Sequence, residues 1–510
     1  MYQDNHLFQY FHLILLCTSH KLFKKKLVTM SSSQQVLHVG ILSSPGLGHI
    51  IPVLALGSRL ATLHNVSVTV FVISPAETEI FKSADKLELI DIVEIPAVDI
   101  SNLVDSNTKV RTQLYVLVRE ALHAVKSAIS AMRHILDALI VDLFCTQALP
   151  IAKEFGLPNY VYIPANVWFT ALTVYCPVLD EEIEGQYVDQ VEPLKIPGCK
   201  SVRPEDQAYR EHMSSGVEFC LSDGILMNTW EDAEAGTLKA FRENEIIKAI
   251  VNSPVYPIGP LTRHDQQVID ESTNDDRNFV LNSLDQQTPY SVLYISFGSG
   301  GTLSSKQLTE LAFGLELSQQ KFIWVVRPPS EVGADKSFFT TGKGSDDTPE
   351  YLPEGFLTRT KDFGLVIHMW TNQAGILSHP SVGGFLSHCG WNSSIESITN
   401  GVPMIAWPLY AEQRLNATML TEELGVAVRP EVLPTKKAVE REEIEQLVRS
   451  VMQNKEGKEL LLTENVMKLK MSSEKALSVG GSSNATMCEV LKDIENRIHG
   501  CKKICEEIVY

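Results

Sequence analysis

An imidazole and a carboxylate that could act together follow two apolar runs of the 510-residue chain. His49 comes just after Val36–Ser43 and a turn that contains two glycines, and Asp142 ends the run Ala138–Asp142. An imidazole titrates near pH ~6.5, so it can accept a proton at neutral pH, and a neighbouring carboxylate can orient it. A lone histidine in a turn is more often structural. Its place after a strand, opposite the phosphate site described next, favours acid–base chemistry instead.

A second segment, 383–396 (GGFLSHCGWNSSIE), has the pattern of a strand, a glycine turn and the start of a helix. Free N–H groups at a helix N-terminus and the positive end of the helix dipole bind phosphate. The side chains that could donate further hydrogen bonds to a diphosphate there are those of His388, Asn392 and Ser393. The same residues also fit a capping box of Ser393 and Glu396, with Trp391 as its hydrophobic staple. The junction alone leaves both interpretations open.

The elements that must position these residues alternate between strands and helices, which is typical of a parallel sheet covered on both faces. In an open sheet of this kind, ligands bind at the carboxyl ends of the strands. His49 and Asp142 should therefore lie on one rim of the first sheet. The polar residues at or just beyond strand ends in the second half are Ser299, Trp370, His388 and Glu412. Because all of these residues follow the carboxyl ends of strands, we expect them to line a common cleft.

The strand–turn–helix pattern restarts after a polar stretch, so we predict two doubly wound domains, as the length also favours. The expected divisions are an N-terminal domain over 36–265, a linker over 266–289, a C-terminal domain over 290–482 and a final helical segment over 483–510. That last segment is expected to pack back on the N-terminal domain. Residues 1–35 are expected to be a disordered extension or a gene-model artefact, because their lysines follow the apolar run, unlike those of a secretory signal.

Composition argues against several kinds of partner. A net charge of −18 disfavours nucleic acid and anionic membranes, since both attract basic surfaces. No run approaches the ~18–20 apolar residues that span a bilayer. Nine cysteines without a Cys-x-x-Cys pair predict free thiols in a reducing compartment. We therefore expect a cytoplasmic monomer whose partners are small molecules.

The segment Trp370–Gln413 resembles the signature box of plant secondary-product glycosyltransferases, which are family 1 UDP-glycosyltransferases. It begins on Trp, carries HCGWNS at the family's offset and ends on Gln. Supporting stretches include SPGLGHIIP, VYPIGPL and the closing GGSSNA. The combination is most similar to the branch that glucosylates phenolics and phenylpropanoids, hydroquinone glucosyltransferases among them. The resemblance implies the GT-B fold, with two Rossmann-like domains facing each other across a cleft, a UDP-sugar donor and a small acceptor.

The resemblance also implies a role for each matching residue. Trp370 would stack on uracil, beside the backbone of Thr371 and the side chain of Gln373, and Glu396 would accept the ribose hydroxyls. The residues implied to hold the diphosphate are Ser299, His388, Asn392 and Ser393. Those implied to contact the sugar are Trp391, Glu412 and Gln413. The remaining residues implied to bind the UDP-sugar are Gly390 and Tyr410.

The chemistry implied by the resemblance needs one base. His49 would take the proton of the acceptor hydroxyl, and Asp142 would hold the ring and stabilise the imidazolium. The oxygen would then attack the anomeric carbon opposite UDP, giving a β-glucoside from an α-linked donor by inversion. The helix start at Gly390–Ser393 would stabilise the departing UDP. The chain has no Asp-x-Asp, the pattern with which metal-dependent sugar transferases hold their cation, so we predict no metal and no other cofactor.

The chain departs from the family pattern at a few positions. The box usually opens Trp-Ala-Pro-Gln, whereas here Thr371 and Asn372 stand in the middle. Losing the proline removes a φ restraint from the uracil loop. Glu412 stands where much of the family has Asp, and residues 163–166 lack the Ser or Thr that contacts the sugar in many members. Gln413 is the family's residue for glucose.

Other functions remain open at this point. A catalytically inactive UDP-sugar-binding protein of the same fold is one, although the presence of both His49 and Asp142 disfavours it. The same chemistry with another UDP-sugar is a second. A nucleotide-sugar epimerase or dehydrogenase would need NAD and Gly-x-Gly-x-x-Gly after the first strand, and the turn here lacks the third glycine.

Overall fold

The computed structural model describes a defined part of the chain. Its residues are 36–73, 89–96, 98–105, 108–200, 202, 206, 216–262, 274–331, 351–368, 371–453 and 457–509. The extension predicted over 1–35 lies outside these ranges, as does Trp370.

Short apolar runs rich in valine and isoleucine form the first sheet, as expected of strands with both faces covered. Its strands within the described ranges are β1 (His38–Ser43), β2 (Ser67–Ile73), β3 (Ile90–Ile95), β4 (Ala138–Asp142), β5 (Asn159–Ile163), β6 (Gly224–Met227) and β7 (Val255–Pro257). They are all parallel and lie in the order β3-β2-β1-β4-β5-β6-β7.

The helices between these strands in the described chain are α1 (Leu47–His64), α2 (Val110–Ala131), α3 (Leu149–Glu154), α4 (Val167–Glu182), α5 (Gly216–Phe219), α6 (Ala235–Glu243) and α7 (Glu245–Ile250). Short 3-10 turns lie at Thr146–Ala148 and Tyr187–Asp189. The apolar side chains of α1 pack against those of β1 and β2 in one buried cluster.

The second half repeats this plan. Its described strands are β8 (Val292–Ser296), β9 (Lys321–Val326), β10 (Gly364–His368), β11 (Val382–Ser387), β12 (Met404–Ala406) and β13 (Ala427–Val428). They too are parallel, in the order β10-β9-β8-β11-β12-β13. Its described helices are α8 (Asn274–Asp285), α9 (Ser305–Ser318), α10 (Phe356–Thr360), α11 (Gln373–Leu377), α12 (Trp391–Asn400), α13 (Gln413–Thr418), α14 (Arg441–Met452), α15 (Gly457–Leu477) and α16 (Ser482–Val509). A π-helical turn, Met419–Glu423, continues α13.

Both sheets have a point at which the strand order reverses. In the first sheet β1 lies between β2 and β4, and in the second β8 lies between β9 and β11. At such a point, the chain segments that follow two neighbouring strands run to opposite sides, which opens a crevice at the carboxyl ends of those strands. The prediction of two doubly wound α/β domains is confirmed, and each provides one crevice.

In the described part of the linker predicted over 266–289, residues 274–285 form the helix α8. Its polar composition suggested a linker, but Val280 and Leu284 are buried. Residues four apart lie on one face of a helix, so two apolar side chains are enough to dock it. Ser381 Oγ also donates to the carbonyl oxygen of Leu284 over 2.8 Å.

The C-terminal helix α16 packs against the first sheet. The Tyr160 hydroxyl of β5 donates to Asp493 Oδ2 over 2.6 Å, and Arg497 Nη1 donates to Asp223 Oδ1 over 2.7 Å. Ile494 is fully buried between them. The end of the chain is therefore fixed to the first half by both polar and apolar contacts. None of the helices in the described ranges is long and apolar enough to cross a bilayer.

Candidate active site

The first crevice contains an imidazole–carboxylate pair. Gly46, whose φ of 99° lies in the region that favours glycine, turns the chain from β1 directly into α1. His49 therefore lies in the first turn of that helix, next to the carboxyl end of β4. Its Nδ1 is 3.3 Å from Asp142 Oδ1 and 3.1 Å from Asp142 Oδ2.

The surroundings of this pair fix how the histidine is protonated. Asp142 is fully buried and also accepts a hydrogen bond from Ser44 Oγ. An ionised carboxylate only accepts hydrogen bonds, so Nδ1 of His49 carries the proton and Nε2 keeps its lone pair. Burial lowers the pKa of His49, but the charge and hydrogen bond of Asp142, with the charge of Glu412, outweigh it and leave the pKa raised. The geometry suits a general base.

The second crevice contains the start of α12. Its N-cap is Gly390, and no side chain of the described residues caps the helix. The N–H of Ser394 donates to the Gly390 carbonyl over 3.0 Å, which is the first hydrogen bond of the helix. The N–H groups that precede Ser394 at the helix start can therefore point at a ligand. The capping-box alternative is wrong, because the helix begins two residues before Ser393.

His388 lies under this helix start, between two glycines. A Cβ added to Gly298 or to Gly390 would lie only 2.5 Å from His388 Nε2. Burial, followed by the charge of Arg327, lowers the pKa of His388 to about 4. This histidine is therefore neutral at physiological pH and offers a hydrogen bond, not a charge. Ser299 follows Gly298, and its carbonyl accepts a hydrogen bond from Arg327 Nη1.

Three of the predicted nucleotide residues form one hydrogen-bonded group. Gln373 Nε2 donates to Ser393 Oγ over 2.9 Å and to Glu396 Oε2 over 2.7 Å. Glu396 is only 2% exposed, so its carboxylate is held in place for a hydroxyl partner. The departure at Asn372 has a structural use, since its Oδ1 caps α11 by accepting from Gly375 N over 3.2 Å.

The loop before α13 contributes Tyr410 and Glu412, and the first residue of that helix is Gln413. Gln413 Oε1 accepts from the backbone N–H groups of Leu409 and Tyr410, over 2.9 and 3.0 Å. The Gln413 oxygen is therefore used within the protein, and its Nε2 remains for a ligand. Burial raises the pKa of Glu412, although the His49 charge and other contacts favour its ionised form.

Two residues of the helix start also connect the halves of the protein. Trp391 Nε1 donates to the carbonyl of Asn228 over 2.8 Å, and Asn392 Nδ2 donates to the carbonyl of Gly48 over 2.8 Å. The single N–H of the Trp391 indole is therefore used within the protein, whereas the Asn392 amide nitrogen carries a second N–H that remains for a ligand. Both side chains join the α12 start to the first half. Gly48 directly precedes His49.

A single cavity of about 680 Å³ runs between the two crevices. The predicted site residues that line it are His49, Ser299, Thr371, Gln373, His388, Gly390, Trp391, Asn392, Ser393, Glu396, Tyr410, Glu412 and Gln413. Asp142 lies behind His49 and does not line the cavity, and Trp370 lies outside the described residues. The apolar side chains that line the cavity on the side of the first half are Ile51, Val110, Leu114, Leu143, Phe144 and Phe169. In the described ranges no three His, Cys, Asp or Glu side chains come together as metal ligands would.

Sequence reasoning missed several residues that position this site. Phe144 packs on His49 with ring centroids 4.9 Å apart. Asn416, fully buried, donates to the Cys389 carbonyl over 2.8 Å and to Glu412 Oε1 over 3.4 Å. The spacing of four residues between Glu412 and Asn416 is a signal that could have revealed this pair.

The comparisons with known proteins agree with one another. The family model described as "UDP-glucoronosyl and UDP-glucosyl transferase" matches residues 279–475. The chain is 52% identical to anthocyanidin 3-O-glucosyltransferase 5 of Manihot esculenta, over 88% of this chain and 93% of that one. It is 40% identical to the hydroquinone glucosyltransferase of Rauvolfia serpentina, over 90% and 98%. A Phytolacca americana structure with UDP-2-fluoro-glucose and pterostilbene has a TM-score of 0.77 and 33% identity, covering 91% of this chain and 100% of that one.

The close approach of His388 to Gly390 makes one substitution informative. We expect Gly390→Ala to weaken UDP binding by about 5- to 100-fold, because the added methyl group forces the ring or the helix start to shift. Titration calorimetry with UDP measures the change. In the matched control Gly236→Ala, the new methyl group meets only an oxygen at 3.7 Å, so UDP affinity should not change. Equal affinities for Gly390→Ala and wild type would contradict the assigned phosphate site.

Proposed function

Because the chain belongs to the plant UDP-glycosyltransferase family, we propose that it transfers glucose from UDP-glucose to a hydroxyl of a small phenolic acceptor, with inversion at the anomeric carbon. That the protein is a UDP-glycosyltransferase follows from its relatives. The observation that most supports the finer proposal is the single cavity between His49 and the start of α12. His49, the proposed base, and residues at the start of α12, the proposed anion site, both line this cavity.

The donor is proposed to bind along the second half. The diphosphate would accept hydrogen bonds from the N–H groups at the start of α12, with His388 and Ser299 beside it. Glu396, held by Gln373, would accept the ribose hydroxyls. The resemblance of the signature box assigns uracil stacking to Trp370. Glucose is proposed as the sugar because Gln413 ends the box as in glucose-using members and because relatives carry the name glucosyltransferase.

The acceptor is proposed to occupy the apolar end of the cavity, next to Phe144 and His49. Aromatic and aliphatic walls suit a phenolic ring, whose hydroxyl would point toward His49 Nε2. The names of the relatives in Manihot esculenta and Rauvolfia serpentina, an anthocyanidin and a hydroquinone glucosyltransferase, belong to the same chemical class. We therefore propose phenylpropanoid or flavonoid phenols as acceptors.

The proposed reaction is a single displacement. Nε2 of His49 takes the proton of the acceptor hydroxyl, and Asp142 stabilises the imidazolium that forms. The acceptor oxygen forms a bond to the anomeric carbon while the bond from that carbon to the phosphate oxygen breaks. UDP leaves with the electron pair, from the face opposite the new bond, so an α-linked donor gives a β-glucoside. The N–H groups and dipole at the α12 start stabilise the added charge on UDP.

We propose that the reaction needs no metal ion, since the helix start and His388 provide the donors for the diphosphate. Incubating the protein with UDP-glucose and a panel of phenols, flavonols and monolignols should give products heavier by one hexose in mass spectrometry. The same yield is expected with excess EDTA. No product from any phenol would contradict the transferase proposal, and loss of product in EDTA would contradict metal independence.

The role of His49 as the base predicts a specific kinetic defect. We expect His49→Ala to lower kcat by about 10²–10⁴-fold, the usual contribution of a general base, while UDP still binds with wild-type affinity. Steady-state kinetics and UDP titration measure the two quantities separately. His64→Ala, at the other end of the same helix, is the matched control and should retain wild-type turnover. Normal turnover of His49→Ala would remove this residue from the mechanism.

The role of Asp142 predicts a change in pH dependence. The base must be neutral, and Asp142 raises the pKa of His49, so the wild-type rate should fall below a pH set by that raised pKa. Asp142→Asn removes the charge and lowers the pKa, which moves the acid limb of kcat/KM to lower pH. It should also lower the plateau by about 10²–10⁴-fold, because the amide no longer selects the right tautomer.

A second histidine–carboxylate contact provides the control for this profile. Asp137 precedes β4 at its other end, and its charge acts on His38. Asp137→Asn should therefore leave the acid limb where it is in the wild type. An unshifted acid limb in Asp142→Asn would show that the rate does not depend on the charge of Asp142.

A further inference from the structure

Two buried amide side chains form a continuous hydrogen-bonded chain between the halves of the protein. Asn166 caps α4, its Oδ1 accepting from Phe169 N over 2.7 Å. Its Nδ2 donates to Asn416 Oδ1 over 2.7 Å, and Asn416 Nδ2 donates to the Cys389 carbonyl over 2.8 Å. Both asparagines are fully buried. The backbone of α4 is thus linked to the turn that begins α12 through side-chain amides alone.

The direction of these hydrogen bonds is fixed at both ends. A backbone N–H can only donate, so the atom of Asn166 that meets Phe169 N must be the oxygen. A carbonyl can only accept, so the atom of Asn416 that meets Cys389 must be the nitrogen. The orientation of each amide is therefore determined. Because Asn166 caps α4 with its oxygen, its nitrogen faces Asn416, which accepts with its oxygen and donates with its nitrogen to the second half. A reversal at one end would place two acceptors face to face at the other.

In the second half, this donor meets two parts of the nucleotide-sugar site. Cys389 has a φ of 66°, a left-handed conformation that a non-glycine residue keeps only when its neighbours hold it. It lies between His388 and Gly390, so its conformation sets how the phosphate loop enters α12. The same Nδ2 lies 3.4 Å from Oε1 of Glu412, the carboxylate that the family resemblance assigns to the sugar.

In the first half, the amide chain starts at the wall of the cavity. Ala165 and Phe169, on either side of the α4 start, line the acceptor end. A second contact fixes this helix start, since Glu234 Oε1 accepts from Val167 N over 2.7 Å. Asn166 therefore has a defined position relative to the acceptor wall. Its Nδ2, which is not needed for the cap, donates to Asn416 and so relates the position of that residue to the same wall.

We propose that Asn166 and Asn416 are positioning residues, whose hydrogen bond aligns the Cys389–Gly390 turn and Glu412 with the acceptor wall formed by α4. A residue of the first half, remote in sequence from the signature box, thereby controls UDP-sugar binding. The inference rests on the proposed function, because it takes the α12 start as the UDP site.

Titration of UDP into the full-length protein tests the proposal. Asn166→Asp keeps the oxygen that caps α4 but replaces the donor that faces Asn416 by an acceptor. We expect UDP affinity to fall by about 10-fold or more, as when a buried polar group loses its partner. Asn166→Ser also retains a capping oxygen and removes the donor without adding an acceptor, so the loss should be smaller but measurable, about 3-fold or more.

The chain offers a matched control. Asn244 caps α7 in the same way, with Oδ1 accepting from Ile246 N and Ile247 N. Asn244→Asp and Asn244→Ser should leave UDP affinity unchanged. If the role of Asn166 is only to stabilise α4, its variants will have a lower Tm but bind UDP like the wild type, which overturns the proposal.

A double-mutant cycle distinguishes the remaining outcomes. Because Asn166→Ser and Asn416→Ser break one continuous chain, the double variant should bind UDP no more weakly than Asn416→Ser alone. Fully additive losses overturn the proposal. Should Asn166→Asp fail to fold, the serine variants still decide. Absence of UDP binding by the wild type would instead contradict the proposed function itself.

Discussion

The first turn of α1 and the first turn of α12 face each other across the cavity, and the hydrogen bond from Asn392 Nδ2 to the Gly48 carbonyl fixes their separation. One turn carries the imidazole that can remove a proton, and the other offers the N–H groups that can hold an anion. A displacement at a sugar carbon needs both at once, since the entering oxygen loses its proton on one side while the leaving group gains charge on the other. The contacts of Trp391 and Asn166 constrain the same relation between the two halves.

The site also shows how surroundings give two histidines different chemistry. His49 keeps 15% of its side chain exposed and its pKa is raised by Asp142, whereas His388 is buried and its pKa is lowered to about 4 by burial and Arg327. The first can therefore take up a proton in the proposed reaction, and the second stays a neutral hydrogen-bonding group beside the proposed diphosphate site. Burial alone does not decide the protonation state, because a buried counter-charge reverses its effect.

Much of this could be predicted from sequence because local patterns carry it. Strand bounds such as Lys321–Val326 and Ala138–Asp142, the start of α9 at Ser305 and the glycine turn before α12 follow from apolar periodicity and turn residues. The doubly wound plan then brings His49 and the α12 start to carboxyl ends of strands. The helix α8 was missed because its polar composition hid two buried residues.

Long-range polar contacts could not be predicted in this way. The donation from Trp391 to Asn228 and the pairing of Asn166 with Asn416 join residues that are 163 and 250 positions apart in the chain. Asparagine in a capping position is visible in sequence, but the partner of its second polar atom depends on how the domains dock. The hydrogen bonds that hold the side chains of Trp391, Asn392 and Gln413 within the protein are likewise not indicated by the sequence.

A crystal structure of the protein with UDP and a bound phenol would locate both ligands relative to His49 and the α12 start. We expect the diphosphate within hydrogen-bonding distance of the first N–H groups of α12 and the phenolic oxygen about 3 Å from His49 Nε2. A diphosphate bound away from that helix start, or a phenol whose hydroxyl is turned from His49 while both ligands occupy the cavity, would contradict this expectation.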